Sequence, residues 1–326
     1  MNYTLNQLRI YYEIVQASSI TKAAERLHLT QPAVSIQLKN FQSQFDLPLT
    51  EIVGRRLYIT DFGREIAVSA HKILQELESI NYRTQDFKGK LSGRLKISVV
   101  STGKYVIPYF LSGFLRQHEG VDLLLDVTNR AEVIQSLEAN EIDFALVSVP
   151  VEKMKLNRLS LMQNQLYFVG NRDAPAGNPY YTREMLETLP LIYREQGSGT
   201  RQVMEKYIRT NKLLIQKKLE LTSNEAVKQA IISGMGYSVM PLIGIKNELN
   251  NGDLRILPVQ GFPIRSSWEL LWLKEKGFSM VASRYLEYIR NEKEKIIREH
   301  FSWFESYTST MKMPGGRTKS RPGKES

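Results

Sequence analysis

Thr30, Gln31, Pro32, Ser35, Gln37 and Lys39 lie in one short stretch, TQPAVSIQLKNFQ, where a helix would carry hydroxyls, amides and an ammonium outward. These are the groups that read nucleic acid: an amide pairs with adenine, a hydroxyl meets several base edges, and a cation meets phosphate. Arg55 and Arg56 follow inside EIVGRRLYIT, whose alternation around Gly54 suits a two-stranded wing with both arginines at its tip, in reach of phosphate. A second polar set lies in EQGSGTR, residues 195–201. Gly197 and Gly199 would turn backbone amides outward at a helix N-terminus while Ser198 and Thr200 add hydroxyls, which is a cradle for an anion. The same loop would serve equally well as a helix cap alone. It is not a P-loop, because the Gly-Lys-Ser/Thr ending is missing.

The elements that must position these groups are legible too. SITKAAERLHLTQPAVSIQLKNF, residues 19–41, predicts two short helices joined by a tight turn. Ser19 or Thr21 caps the first, whose inner face carries Ile20, Ala23, Ala24 and Leu27, and Leu29 plugs the corner. Thr30 caps the second with Pro32 in its first turn. Ala33 or Val34, Leu38, and Phe41 or Phe45 face inward, which turns Gln31, Ser35, Gln37, Lys39 and Gln42 to solvent. An ordinary helical hairpin with a polar face is the plain alternative. Residues 62–88 predict one long helix with a heptad seam at Ile66, Ala70, Ile73, Leu77, Ile80, Thr84 and Phe87, suited to pairing two chains.

Beyond Gly89, Ser92 and Gly93 the texture changes to strands alternating with helices. LKISVV, LLLDV and DFALVSV read as buried strands separated by amphipathic stretches near 105–118 and 131–140, which predicts βαβ units and a parallel sheet. QLYFVG, PLIY, LEL, YSVMP and a strand over 268–273 form a second set, and a last helix spans about 279–301. Ligands of such sheets sit beyond the carboxyl ends of the strands. That rule selects Ser101, Thr102, Asn129, Ser148 and Asn224 to join Gly197, Ser198, Gly199 and Thr200 as candidate ligand-binding residues, which the resemblance given below makes effector-binding.

Composition narrows the class. The chain has 326 residues, 42% of them hydrophobic, no cysteine and a net charge of +10. Thiolate chemistry and disulfide frameworks are thereby excluded. No secretory segment opens the chain and no apolar run approaches the roughly 18 residues of a membrane span, so a cytoplasmic protein without membrane contact is expected. Residues 1–90 hold 11 Lys and Arg against 9 Asp and Glu, so any DNA affinity rests on placement of charge and not on its amount. His28, His71, His118 and His300 lack metal-ligand spacing, and neither a GxSxG elbow nor a GxGxxG follows a strand. No enzyme activity, metal or cofactor is expected. The tail MPGGRTKSRPGKES is expected to be disordered; of the two roles open to it, nonspecific DNA contact or none, none is favoured.

LNQLRIYYEIVQASSITKAAERL, LTQPAVSIQLKNFQ and LYITDFG together resemble the winged N-terminal domain of LysR-type transcriptional regulators. Asp46 and Thr50 depart from the Gly and Phe usual there. The likeness continues through SVPVEKMKL, REQGSGTR and SNEAVKQAIISGMGYSVMP to about residue 300. It implies an N-terminal all-α winged helix-turn-helix over 1–61, a linker and dimerisation helix over 62–88, and an α/β regulatory domain of two Rossmann-like, periplasmic-binding-protein-like subdomains. These are expected at 92–166 with 267–301, and at 167–266, before a basic tail at 302–326. The GSGTR form looks like the branch containing regulators of carbon fixation and sulfur metabolism, which implies an anionic effector held between the subdomains. Promoter DNA, this effector, further copies of the chain as dimer or tetramer and RNA polymerase are the expected partners. The competing expectation is a solute-binding α/β protein whose N-terminal hairpin contacts other proteins.

Overall fold

The computed structural model describes residues 2–54, 56–86, 90–152, 154–175, 181–215 and 217–310. The chain divides into two compact units, Met1–Gly93 and Arg94–Ser326.

In the first unit, α1 (Leu5–Ala17), α2 (Ile20–Leu27) and α3 (Gln31–Gln42) are each started by a hydroxyl cap, from Thr4, Ser19 and Thr30. Ser18 and His28 end α1 and α2 in the left-handed conformation, which turns the chain sharply into the next helix. Tyr11, Ile14, Ala23, Val34 and Phe41 are fully buried, and the two alanines of α2 allow the helices their close approach. Leu29 does not plug the corner. It is 43% exposed, and Leu27 packs against the core in its place.

β1 (Thr50–Val53) and β2 (Arg56–Ile59) pair antiparallel with Val53 opposite Arg56. Gln42, expected in solvent, ties the entry to this wing. Its Oε1 accepts from the Thr50 amide at 3.2 Å and the Thr50 hydroxyl at 2.9 Å, so the departure from the usual Phe is built around a hydrogen bond.

The long helix α4 (Asp61–Asp86) forms as expected, but its own core covers the first positions of the expected seam. Ala70 is fully buried and Ile66 packs with Ala67 into the core of its own unit, so neither is available to a second chain. Ile73 and Ile80 stay exposed and Leu77 half-buried; Phe87 and the side chain of Thr84 lie outside the described residues.

The second unit is built on β3 (Ser92–Val100), β4 (Gly120–Thr128), β5 (Phe144–Val147), β6 (Leu156–Asn171), β7 (Leu191–Arg194), β8 (Lys217–Leu221), β9 (Ser238–Pro241), β10 (Leu254–Ile256) and β11 (Ile264–Leu273). Between the strands lie α5 (Ile107–Gln117), α6 (Arg130–Glu138), α7 (Gly199–Thr210), α8 (Asn224–Ile232) and α9 (Lys246–Asn251), and α10 (Met280–Thr310) follows them. One sheet runs β10-β6-β11-β5-β3-β4 with β9 also on β6, and a second pairs β7 with β8 in parallel.

The expected parallel sheet is therefore mixed: β3 and β5 are parallel, whereas β11 lies antiparallel to both β5 and β6. β6 is the reason. Its first part pairs with β11, and from Leu166 onward it pairs with β9, so one long strand belongs to both α/β subdomains. Helix α10 also exceeds its expected end. Residues 302–310, assigned above to a disordered tail, are helical, with Phe304 buried and the Lys246 ammonium 4.4 Å from the Trp303 ring. Residues 311–326 lie outside the described part.

Candidate functional site

The polar residues expected to read nucleic acid lie mostly on α3. Thr30, Gln31, Pro32 and Lys39 are exposed and Ser35 half-buried, with the Gln31 amide donating to the Ser35 hydroxyl at 3.5 Å. Gln37 does not share this face. Two residues from Ser35, it points about 200° away around the helix and is half-buried. Arg56 is exposed on the wing, and Arg55 lies outside the described residues.

The second unit contains a cleft lined by Val100, Ser101, Thr102, Asn129, Arg130, Ser148, Val149, Arg194, Ser198, Gly199 and Thr200. Seven of these are among the nine effector residues expected from the sequence. Each stretch follows the carboxyl end of a strand: Ser101 and Thr102 after β3, Asn129 after β4, Ser148 after β5 and Ser198 to Thr200 after β7. Two helices open on the cleft. Asn129 caps α6 by accepting from the Glu132 amide at 3.1 Å, and Ser198 caps α7 by accepting from the Arg201 amide at 3.5 Å. Both caps are thus occupied within the fold, which leaves the positive ends of two helix dipoles, Thr200 and Ser101 for a ligand.

Gly197 acts beside the cleft and not in its lining. With φ at +88° it is left-handed, and an added Cβ would stand 3.1 Å from both Ala131 Cβ and Asn129 Oδ1. That closeness lets the Ala131 amide donate to the Gly197 carbonyl at 3.2 Å, which joins α6 of one subdomain to the loop of the other. Asn224 is not in the cleft. It is buried at the start of α8 with its Nδ2 unpartnered, near Tyr105 and Gly244.

Two arginines were not anticipated. Arg194, 3% exposed, clasps Glu195 through Nε–Oε2 at 2.7 Å and Nη2–Oε1 at 2.8 Å, and its Nη2 also donates to Ser101 Oγ at 3.1 Å. This contact crosses between the subdomains. Arg130 donates to the Pro150 carbonyl at 2.8 Å, while its buried Nε has no partner among the described residues. Burial pulls the Arg130 pKa down from the ordinary arginine value, and no carboxylate pairs with it among the described residues. The available signals were a charged residue closing an otherwise apolar strand, at Arg194, and one directly following a cap, at Arg130. Arg201, the last residue of GSGTR, is structural: it bridges Glu205 at 2.6 Å and Glu220 at 2.9 Å and donates to the Arg194 carbonyl at 3.0 Å.

The cleft can therefore take an anion. Glu195 neutralises Arg194, and the groups left uncompensated are Arg130 and two helix N-termini. Among the described residues no group of histidines and carboxylates is arranged to hold a metal ion, and no helix is long and apolar enough to cross a membrane.

Residues 5–64 match the family model described as a bacterial regulatory helix-turn-helix protein of the lysR family, and residues 88–294 match the LysR substrate binding domain. The RuBisCO operon transcriptional regulator of Allochromatium vinosum is 36% identical over 293 residues, 90% of this chain and 97% of that protein. The HTH-type transcriptional activator CmpR of Synechocystis sp. is 34% identical over 289 residues, covering 88% of this chain and 95% of that one. Among solved structures, the CcmR regulatory domain of Synechocystis PCC6803 in complex with 2-PG is 35% identical, with a TM-score of 0.58, over 61% of this chain and 96% of that one. The helix-turn-helix match decides between the two readings of the N-terminal hairpin in favour of DNA. The chain belongs to the LysR family of bacterial DNA-binding transcriptional regulators, with a two-subdomain α/β effector-binding domain behind a winged helix-turn-helix.

Proposed function

We propose that this regulator senses a small phosphorylated carboxylic acid in the cleft of its α/β body and converts that binding into a change at promoter DNA. The observation that carries this reading is the unpartnered Arg130 Nε, buried in a cleft onto which α6 and α7 both open. Ser101, Thr102, Ser148, Ser198, Gly199 and Thr200 supply hydroxyls and amides around it, with Arg130 as the principal counter-charge. The 2-PG bound by the related CcmR domain supports a ligand of this class. A phosphate brings three acceptor oxygens to donors arranged on both subdomains, so binding favours the closed arrangement. An effector switches the protein only if it prefers one arrangement, since equal affinity for both shifts nothing.

Calorimetry on the full chain tests the reading with 2-phosphoglycolate, glycolate and inorganic phosphate. We expect 2-phosphoglycolate to bind at least about thirtyfold more tightly than glycolate, because charged hydrogen bonds contribute roughly 1.5–3 kcal/mol each. Equal binding of the two acids, or binding of neither, would reject it. The promoter contacts in this reading come from Thr30, Gln31, Pro32, Ser35, Lys39, Arg55 and Arg56 of each of two paired chains.

Pairing uses Ile73, Leu77 and Ile80 of α4, the part of the seam that its own core does not cover. Leu77→Glu is expected to give monomers by light scattering and to weaken operator binding, since the two half-sites would then be read separately. A dimer persisting in that variant would remove α4 as the pairing element.

A further inference from the structure

Val34, Leu38 and Phe41 are buried and mark the inner side of α3. At about 100° per residue, the direction opposite them belongs to Ile36, with Pro32, Lys39, Asn40 and Ser43 exposed around it. Ile36 is 58% exposed. The most outward point of the recognition helix is thus an apolar, β-branched side chain among polar groups. Gln31 and Ser35, the residues whose chemistry first suggests base reading, lie on one flank and bond to each other.

In the major groove only one base edge offers an apolar group, the C5-methyl of thymine. We propose that Ile36 is a specificity-determining residue that packs on a thymine methyl at one base pair of each half-site. This rests on α3 being the helix that enters the groove and goes beyond it by assigning one residue to one chemical feature. A branched aliphatic side chain leaves an amino or keto edge without a hydrogen-bond partner, so it selects thymine both by contact and by penalty against other bases. Lys39, one turn along, is free to meet the phosphates beside it.

Selection from random duplex DNA by the full chain and by Ile36→Ala, followed by uracil substitution, tests this assignment. The wild-type protein is expected to select an invariant thymine in each half-site, and Ile36→Ala is expected to lose that preference without a change in melting temperature. Replacing that thymine by uracil removes the methyl alone. It should weaken wild-type binding about fourfold per half-site, the effect of burying one methyl, and leave Ile36→Ala unaffected. Placing 5-methylcytosine at the same position should restore part of the affinity of a C·G variant for the wild type only. Identical selected sequences for both proteins, or an equal uracil penalty in both, would overturn the proposal. A parallel selection with Ser35→Ala separates the two levels. If neither variant alters the selected sequence, α3 is not the reading helix; if only Ser35→Ala does, the role of Ile36 alone fails.

Discussion

Gly63→Ala is expected to destabilise the N-terminal unit strongly and weaken operator binding while the α/β body melts as in the wild type. Gly63 opens α4, and an added Cβ would lie 2.1 Å from the Leu49 carbonyl oxygen and 2.7 Å from the Tyr11 hydroxyl. Neither neighbour can yield. Leu49 is fully buried, with its carbonyl accepting from the Thr60 amide at 3.2 Å, and Tyr11 is fully buried and donates to the Gly63 carbonyl at 2.8 Å. The clash is with backbone and a locked ring, so α4 must shift off α1. Overpacking of this kind costs about 3 kcal/mol or more. In a unit of this size that lowers the melting temperature by at least about 10 °C, read by circular dichroism. A variant melting within about 2 °C of the wild type would mean that α4 is held differently.

Arg194→Ala is expected to weaken effector binding by at least a hundredfold with DNA binding retained. Among the described residues, the guanidinium is the cation that reaches across the cleft, through Ser101, and it neutralises Glu195. Its loss leaves a carboxylate without its partner beside a site for an anion, which repels the ligand as well as removing a donor. Truncating one member of a buried ion pair commonly costs 3–5 kcal/mol, roughly two to three powers of ten. Glu195→Gln in the same chain removes the stranded charge. The double variant is therefore expected to recover about tenfold over Arg194→Ala in a calorimetric cycle. Unchanged effector affinity in the single variant would show that Arg194 only ties β7 to the turn after β3.

The helix-turn-helix was legible because its determinants are local. Ser19 and Thr30 start helices through bonds within three residues, Pro32 fits a first turn that needs no amide donor, and apolar spacing names the buried face. The cleft was legible in part because strand ends in an α/β sheet gather ligand groups whatever the loop sequences, which placed Ser101, Asn129, Ser148 and Thr200 together. Spacing did not reveal which neighbour covers a face. The apolar row of α4 looked continuous, but α1 takes its first turns, Ile66 and Ala70, and leaves the rest. Gln42 looked like a solvent residue until the wing brought Thr50 to it, eight residues away.

The sequence by itself determined the helix-turn-helix, the family and most of the cleft lining, because caps, periods and strand ends are properties of short segments. The tertiary structure alone decided which side chains line the cleft and which stay uncovered on α3. Arg194 and Arg130 become cleft cations only when β7 and α6, distant in the chain, close on the same space. Ile36 becomes the outermost point of α3 only once Val34, Leu38 and Phe41 have found their core. A side chain's role depends on what its neighbours leave uncovered, and those neighbours come from far along the chain.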